Sequence, residues 1–344
     1  MGLSAMVIDP LVDVAPPAWD ELVARERFSP LWRFDMLRII DRCAQAPSSM
    51  VLVEDAGDPI GLFHARHIRP VNPRRFASPY RVPAVVSALG LTECRTFPRA
   101  AGGGMVFAAG TDEAVRAEAV RVFERAVGRR RGAVLAYRDL NAEQMRLMPS
   151  SRRIRLDLSP SMVLHNEWTD FSAYLGALAP KWRSQLKKIR RTIRIAGPVG
   201  AGLADPVGAG LAGGIDPAQA SWLFDLVLRR HLSRAVPRPP VPAAYFAALV
   251  GLPGVRFMTY RSDDGRVLAF VTWYDSGTEL LPIFWGSRGE TNLYFDQYTR
   301  LVELMIQTGR RRLVLGKGLQ QVKARYLARP EARWAVVGLS AGRR

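Results

Sequence analysis

Lysine is scarce in this chain. It accounts for 5 of the 49 basic residues, the other 44 being arginine, and two of the five, Lys317 and Lys323, stand in one short stretch. An ammonium placed beside a substrate can neutralise a phosphate or polarise a carbonyl oxygen. About thirty residues upstream come Trp285, Gly286 and Ser287, followed by Asp296, Tyr298 and Glu303, groups that could line a pocket or accept a proton. No Ser/His/Asp or Cys/His set is legible, which argues against a covalent intermediate. The chemistry such residues suit is direct attack of an amine or hydroxyl on an ester or thioester. That reaction needs a proton removed, a carbonyl oxygen stabilised and two reactants held in place. The base is left open between Asp296 or Glu303, Tyr298, and the donor itself. Backbone N–H groups splayed at a strand bulge near 284–287 are further candidate carbonyl donors.

The spacing of apolar residues predicts the elements that would position these groups. The run 281–285 predicts a buried strand, broken by Gly286 and Gly289. Leu293, Leu301, Leu304 and Met305 predict the buried side of a helix that ends at Gly309, where a left-handed cap suits glycine. Leu313, Val314 and Leu315 predict a second short strand, and Gly316-Lys317-Gly318 a loop leading to Lys323 and Tyr326. Strand, helix and strand in this order make the two strands parallel neighbours. Ligands in open α/β sheets gather beyond the carboxyl ends of such strands, here 285–288 and 316–323.

A second set of charged residues lies further upstream. In the stretch from Pro180, Trp182, Leu186, Ile189 and Ile193 form an apolar stripe at helical spacing. Arg183, Lys187, Arg190 and Arg194 repeat the spacing one residue on, and Lys181, Lys188 and Arg191 widen the basic face. No acidic residue occurs between 171 and 204, so these cations repel one another unless an anion crosses the face. The net charge of +18 is consistent with a polyanionic partner such as RNA or with a phosphate-rich co-substrate, although arginine-rich composition alone could produce it.

The chain exceeds the length that one core usually organises, which predicts two domains. Gly128-Arg129-Arg130-Arg131 recurs as Gly309-Arg310-Arg311-Arg312, each time after a strand and a helix and before a strand. A hairpin turn at Gly57-Asp58 has its counterpart at Asp264-Gly265. The expectation is a mixed α/β (α+β) protein with domains at 1–155 and 156–344, each of hairpin, strand, helix and strand. Residues 70–100 and 197–214 predict long connections, and Arg99 to Gly104 gives only a weak phosphate-loop signal, because it precedes a strand rather than a helix. His64 and His67 lack a third ligand nearby, so packing is expected and no metal site. Two cysteines exclude a disulfide framework. No apolar run is long enough to span a bilayer and no leader pattern opens the sequence, so a cytoplasmic protein is expected.

Three blocks carry a resemblance. They are Tyr174-Leu175 with 178–183 and the basic 187–194; Gly103-Gly104-Met105 with the following helix and 134–138; and Trp285-Gly286, the helix 294–306, Gly309, and Gly316 leading to Lys323. Together they resemble the tandem acyltransferases of the FemAB-like and CelD/BcsL-type groups, built from two GNAT-like domains. The resemblance implies a GNAT-type fold in each half, with the donor channel in the second. It further implies transfer of an acyl or aminoacyl group to an amine, with aminoacyl-tRNA as co-substrate and no resident cofactor, for a peptide or a small natural product. Lys323 falls where the FemAB pattern has its late lysine, here followed by Tyr326 in place of an adjacent phenylalanine–glycine. The inserted coiled-coil arm of some relatives has no counterpart. A coenzyme A donor would call for an Arg/Gln-x-x-Gly-x-Gly/Ala loop entering a helix, and the nearest fragment is Arg288-Gly289. A non-enzymatic RNA-binding role would call for aromatics interleaved with basic residues, whereas the aromatics here fall at core spacing.

Overall fold

The computed structural model describes residues 2–43, 48–68, 91–94, 103–128, 134–149, 153–193, 198–199, 215–231, 241–290 and 292–339. Within the connections expected at 70–100 and 197–214, the described residues are two short strands, Leu91–Cys94 and Pro198–Val199; the rest of both stretches, Arg194, Arg129 to Arg131 and most of the Arg99 to Gly104 run lie outside the described residues. The chain divides into two compact units. One comprises Met1–Leu158, Leu232–Pro239 and Ala332–Arg344; the other comprises Ser159–His231 and Pro240–Glu331. A terminal strand thus returns to the first unit, a return absent from a linear division at 155.

In the first unit, β1 (Leu3–Ile8) pairs with β2 (Ser48–Asp55), which forms a hairpin with β3 (Asp58–Ile68). Beyond β3 lie β4 (Leu91–Cys94) and the short β5 (Met105–Phe107). Next come β6 (Val134–Leu140) and β13 (Arg329–Leu339). All these pairings are antiparallel except β4 with β6, which is parallel from Leu91↔Val134 to Cys94↔Tyr137. Helices α1 (Pro17–Arg25), α2 (Phe34–Cys43), α3 (Glu113–Gly128) and α4 (Ala142–Arg146) complete the unit. Its core stacks Phe63 on Phe123 at 4.4 Å between ring centroids. His64 and His67 are buried hydrogen-bonding residues: His64 Nε2 meets Asp41 at 2.9 Å, and the two nitrogens of His67 meet Ser49 and Thr92.

The second unit starts within β7 (Arg153–His165) and continues through α5 (Phe171–Ala177) and α6 (Pro180–Ile193). Asp170 caps α5 by accepting from the Ala173 N–H, and Pro180 opens α6 at a position where a missing N–H costs nothing. The two-residue strand β8 (Pro198–Val199), α7 (Pro217–His231) and α8 (Ala243–Val250) follow. The hairpin of β9 (Val255–Arg261) and β10 (Val267–Asp275) leads to β11 (Glu279–Ser287), α9 (Leu293–Gln307), β12 (Arg312–Gly316) and α10 (Gln320–Ala324). The strand order is β7-β12-β11-β10-β9-β8, antiparallel except for β11 with β12. The apolar stripe of α6 packs with the buried side of α9 in one core, which includes Leu186, Ile189, Leu301 and Met305. Phe224 of α7 and Phe246 of α8 pack against Phe284 and Phe270 of the strands. The second Gly-Arg-Arg-Arg run locks the base of this sheet: Arg310 makes a forked pair with Asp275, and Arg312 pairs with Glu279 and Glu331.

Candidate active site

The parallel strands β11 and β12 are paired over two positions only, Glu279↔Arg312 and Leu280↔Leu313. Past that point β12 pairs with β7 and β11 with β10, so the two strands part. The cause is local chemistry. Pro282 has no N–H to give a neighbour, and Ile283 is an extra residue with no opposite on β10, where Trp273 faces Pro282 and Thr272 faces Phe284. The Phe284 N–H donates to the Thr272 hydroxyl at 3.1 Å. A second register shift falls on the β12 side, between Val314 and Gly316.

The turn that leaves β12 needs glycine, since Gly316 and Gly318 have φ of +72° and +77°. It delivers α10, whose Lys323 is buried, with 2% of its surface exposed. The Lys323 ammonium donates to the carbonyls of Gly316 at 3.0 Å and Lys317 at 2.8 Å. Two of its three donors are thereby used. Among the described residues no carboxylate pairs with it, and burial lowers its pKa from 10.5 to about 8.

A line of aromatic rings runs beside the parted strands. Trp182 of α6 meets Tyr326 at 5.3 Å and Phe295 at 5.6 Å, and Tyr326 meets Tyr298 at 5.8 Å. Tyr298 continues to Tyr294 at 4.9 Å, Tyr294 to Trp285 at 5.9 Å, and Trp285 to Tyr260 at 6.3 Å. The hydroxyls of Tyr294 and Tyr298 lie 2.9 Å apart, and Tyr326 donates to the Phe295 carbonyl at 2.8 Å. Burial pushes the Tyr298 hydroxyl well above the ordinary tyrosine range, so it stays protonated at neutral pH. Three of the residues singled out in the sequence, Trp285, Tyr298 and Tyr326, belong to this line. Tyr260, Tyr294 and Trp182 join it without having been singled out for a site, because rings at core spacing look alike in a sequence.

Asp296 is fully buried. Its Oδ2 accepts from Tyr260 at 2.9 Å and from Arg300 at 2.5 Å, while its Oδ1 has no partner. Gly286 is a packing residue. A Cβ there would stand 2.2 Å from the Phe270 ring and 2.9 Å from the backbone nitrogen of Phe224. Ser287 is buried at the end of β11, where its hydroxyl accepts from the Gly289 N–H. Lys317 is half-buried in the turn.

The basic face of α6 divides into two groups. Lys181, Lys187, Lys188 and Arg191 are exposed and meet no carboxylate among the described residues. Arg190 is half-buried, pairs with Glu303 at 2.5 Å and lies over the Phe171 ring. Arg183 reaches the Gly176 carbonyl at 3.5 Å. The helix adjoins the turn that carries Lys323, since Trp182 packs on Tyr326 and Arg325 lies over Trp182 at 5.6 Å.

Residues 183–324 match the family model of the acetyltransferase (GNAT) domain. No curated protein matches the sequence. Among solved structures, the chain is similar to L-PGS from Bacillus licheniformis, with a TM-score of 0.57 at 11% identity over 98% of this chain and 93% of that one. It is also similar to FemX, with a TM-score of 0.56 at 9% identity over 96% of each chain. At such identities these likenesses establish the fold. The family match places an acetyltransferase (GNAT) domain in residues 183–324, and the chain as a whole shares the fold of L-PGS and FemX.

Proposed function

We propose that the second unit transfers an aminoacyl group from aminoacyl-tRNA to an amine, hydroxylamine or hydroxyl group of a small molecule or peptide, by direct attack. The observation that carries this reading is the opening between β11 and β12, with Lys323 at its edge and unpaired cations on the adjoining helix. The acyl carbonyl would enter between the strands, against the rings of Trp285, Tyr294 and Tyr298. The third N–H of Lys323 would donate to that oxygen as it gains negative charge, in a site dry enough for one such bond to count. Lys181, Lys187, Lys188 and Arg191 would take the phosphates of the donor, with Arg183 and Lys317 nearer the opening. Asp296 would act through Tyr260 and Arg300 to hold the aromatic line, so the acceptor's proton would pass to the donor or to solvent rather than to this carboxylate.

The donor class fits the net charge of +18 and the FemAB resemblance, and it implies a cytoplasmic reaction within the biosynthesis of a peptide or an antibiotic-like product. The test is incubation with a mixture of labelled aminoacyl-tRNAs and candidate acceptors at low and moderate salt. Consumption of one aminoacyl-tRNA, falling steeply with salt, supports the reading. The acetyltransferase family match favours a second reading, an acyl-CoA-dependent N-acyltransferase. Tight, salt-tolerant binding of coenzyme A by calorimetry, with no tRNA consumed, would establish that alternative.

A further inference from the structure

Trp222 of α7 is 44% exposed and is the one exposed aromatic side chain among the described residues. It is also braced. The guanidinium of Arg288 lies 4.5 Å from the centre of its ring. Arg288 is itself fixed by two backbone contacts, its N–H donating to the Leu268 carbonyl and its Nε to the Val267 carbonyl, both at 2.9 Å. Arg230, near the end of the same helix, donates to the carbonyls of Ser287 and Arg288. Gly289 makes room for it, since a Cβ there would stand 2.3 Å from the Arg230 Nη1, and its φ of +108° suits no other residue. Among the described residues neither arginine meets a carboxylate. The nearest acid on the exposed side of α7, Asp225, is already paired with Arg229 at 2.6 Å.

The place of this assembly in the fold gives it a direction. Phe224, two residues after Trp222, packs on Phe284, and its backbone touches the space above Gly286. Trp222 therefore stands beside the carboxyl end of β11, the end at which ligands of open α/β sheets gather. A tryptophan with a cation fixed on one face and no ring or second cation on the other, among the described residues, presents a polarised aromatic surface to a flat partner. The two arginines beside it, neither in an ion pair with a carboxylate among the described residues, favour a partner that also carries phosphate.

We infer that Trp222, braced by Arg288, is a stacking platform for the adenine ring of the acyl donor. This rests on the donor-site reading above and deepens it. Both donor classes carry that ring: in aminoacyl-tRNA it is the terminal adenosine that bears the aminoacyl group, and in coenzyme A it is the nucleotide remote from the thioester. Trp222 touches no reacting atom in either case; it positions the donor.

The experiment measures binding to the full chain and to its Trp222→Ala and Trp222→Phe variants. The probes are a dye-labelled RNA hairpin ending in CCA, the same hairpin ending in CC, coenzyme A, and 4′-phosphopantetheine. Loss of base stacking on an aromatic ring is expected to weaken the CCA hairpin by roughly 5- to 150-fold in Trp222→Ala, with most affinity kept in Trp222→Phe and no change for the CC hairpin. The same pattern confined to coenzyme A against 4′-phosphopantetheine would uphold the platform while overturning aminoacyl-tRNA as donor. Equal affinity of wild type and Trp222→Ala for both adenine-bearing probes overturns the platform, as does a wild type that binds CCA no better than CC and coenzyme A no better than 4′-phosphopantetheine. Consumption of aminoacyl-tRNA is scored separately, so the donor reading survives or fails without reference to Trp222.

Discussion

Lys323 combines deep burial, two carbonyl acceptors and no acidic partner among the described residues, and that combination has a calculable consequence. Burial favours the neutral amine, lowering the pKa from 10.5 to about 8. At about 1.36 kcal/mol for each pH unit, the charged form costs the folded state about 3 kcal/mol. Below pH 8 both the folded and the unfolded chain hold the proton, and the whole cost is present. Between pH 8 and 10.5 the folded chain gives up its proton first, the unfolded chain binds more protons, and stability rises with pH. Above 10.5 both are neutral and the cost is gone.

A Lys323→Met variant has no such proton. The stability of the wild type relative to the variant should therefore grow by about 2–3 kcal/mol between pH 7 and pH 10. Urea unfolding of both proteins at both pH values, followed by tryptophan fluorescence, measures this difference while the titrations common to the two chains cancel. A difference that stays constant within about 0.5 kcal/mol would refute the reasoning, because distant sites add to within that margin. The same residue sets a kinetic expectation. If its remaining N–H donates to the carbonyl oxygen, kcat/KM is lost as pH rises through 8, and Lys323→Met loses about 100- to 1000-fold at pH 7. Activity that instead climbs to a plateau above pH 8 would make the amine a base and sink the donor role.

Three further outcomes are expected. Gly286→Ala should destabilise the protein by about 1–3 kcal/mol in urea unfolding, since the added methyl meets the Phe270 ring and the backbone of α7. Replacing Lys187, Lys188 and Arg191 together by alanine should leave unfolding unchanged and flatten the dependence of log Kd for tRNA on log salt by roughly 0.7–0.9 for each phosphate that is no longer neutralised. Asp296→Ala should cost about 3–5 kcal/mol in the same unfolding assay, because it strands the Arg300 charge and removes the partner of the buried Tyr260 hydroxyl.

Much of the second unit was legible because its elements follow simple periods. The apolar stripe through Trp182, Leu186, Ile189 and Ile193 is the buried face of α6, and the strand–helix–strand from 281 to 315 is there with its parallel pairing. The strands β4 and β8 fall inside the stretches expected as connections at 70–100 and 197–214. Three longer strands were not legible either. β1 alternates weakly over six residues, β7 is interrupted by Ser159-Pro160 and resembles a junction, and β13 begins at Arg329-Pro330 amid charges. The burial of Asp296 was not legible, because Leu293, Leu301, Leu304 and Met305 outline a narrow stripe that leaves it out. The buried arc of α9 is wider and takes in Asp296, Gln297, Tyr298 and Thr299. Glu303 looked equally available, yet it is held by Arg190. A pair between α6 and α9 cannot be inferred from either helix alone.

The internal repeat identifies what distinguishes a binding strand pair from a structural one. Each unit contains a hairpin, a strand, a helix and a strand parallel to the first. In the first unit the parallel pair β4 and β6 stays in register along the whole of β4, from Leu91 to Cys94, and Arg138 of β6 pairs with Glu93 of β4 across it. Paired strands leave no backbone donors or space for an acyl group. In the second unit the equivalent pair closes at its base, through Arg312 and Glu279, and then parts at Pro282 and Ile283. One residue without an N–H and one residue too many are enough to convert the same topology from a closed ladder into an opening. Restoring register should reverse the conversion. Deleting Ile283 makes Pro282–Trp273 and Phe284–Thr272 consecutive pairs and leaves the later pairs of β11 as they are, so the bulge and its bend are removed while Trp285 keeps its face, and transfer should be lost.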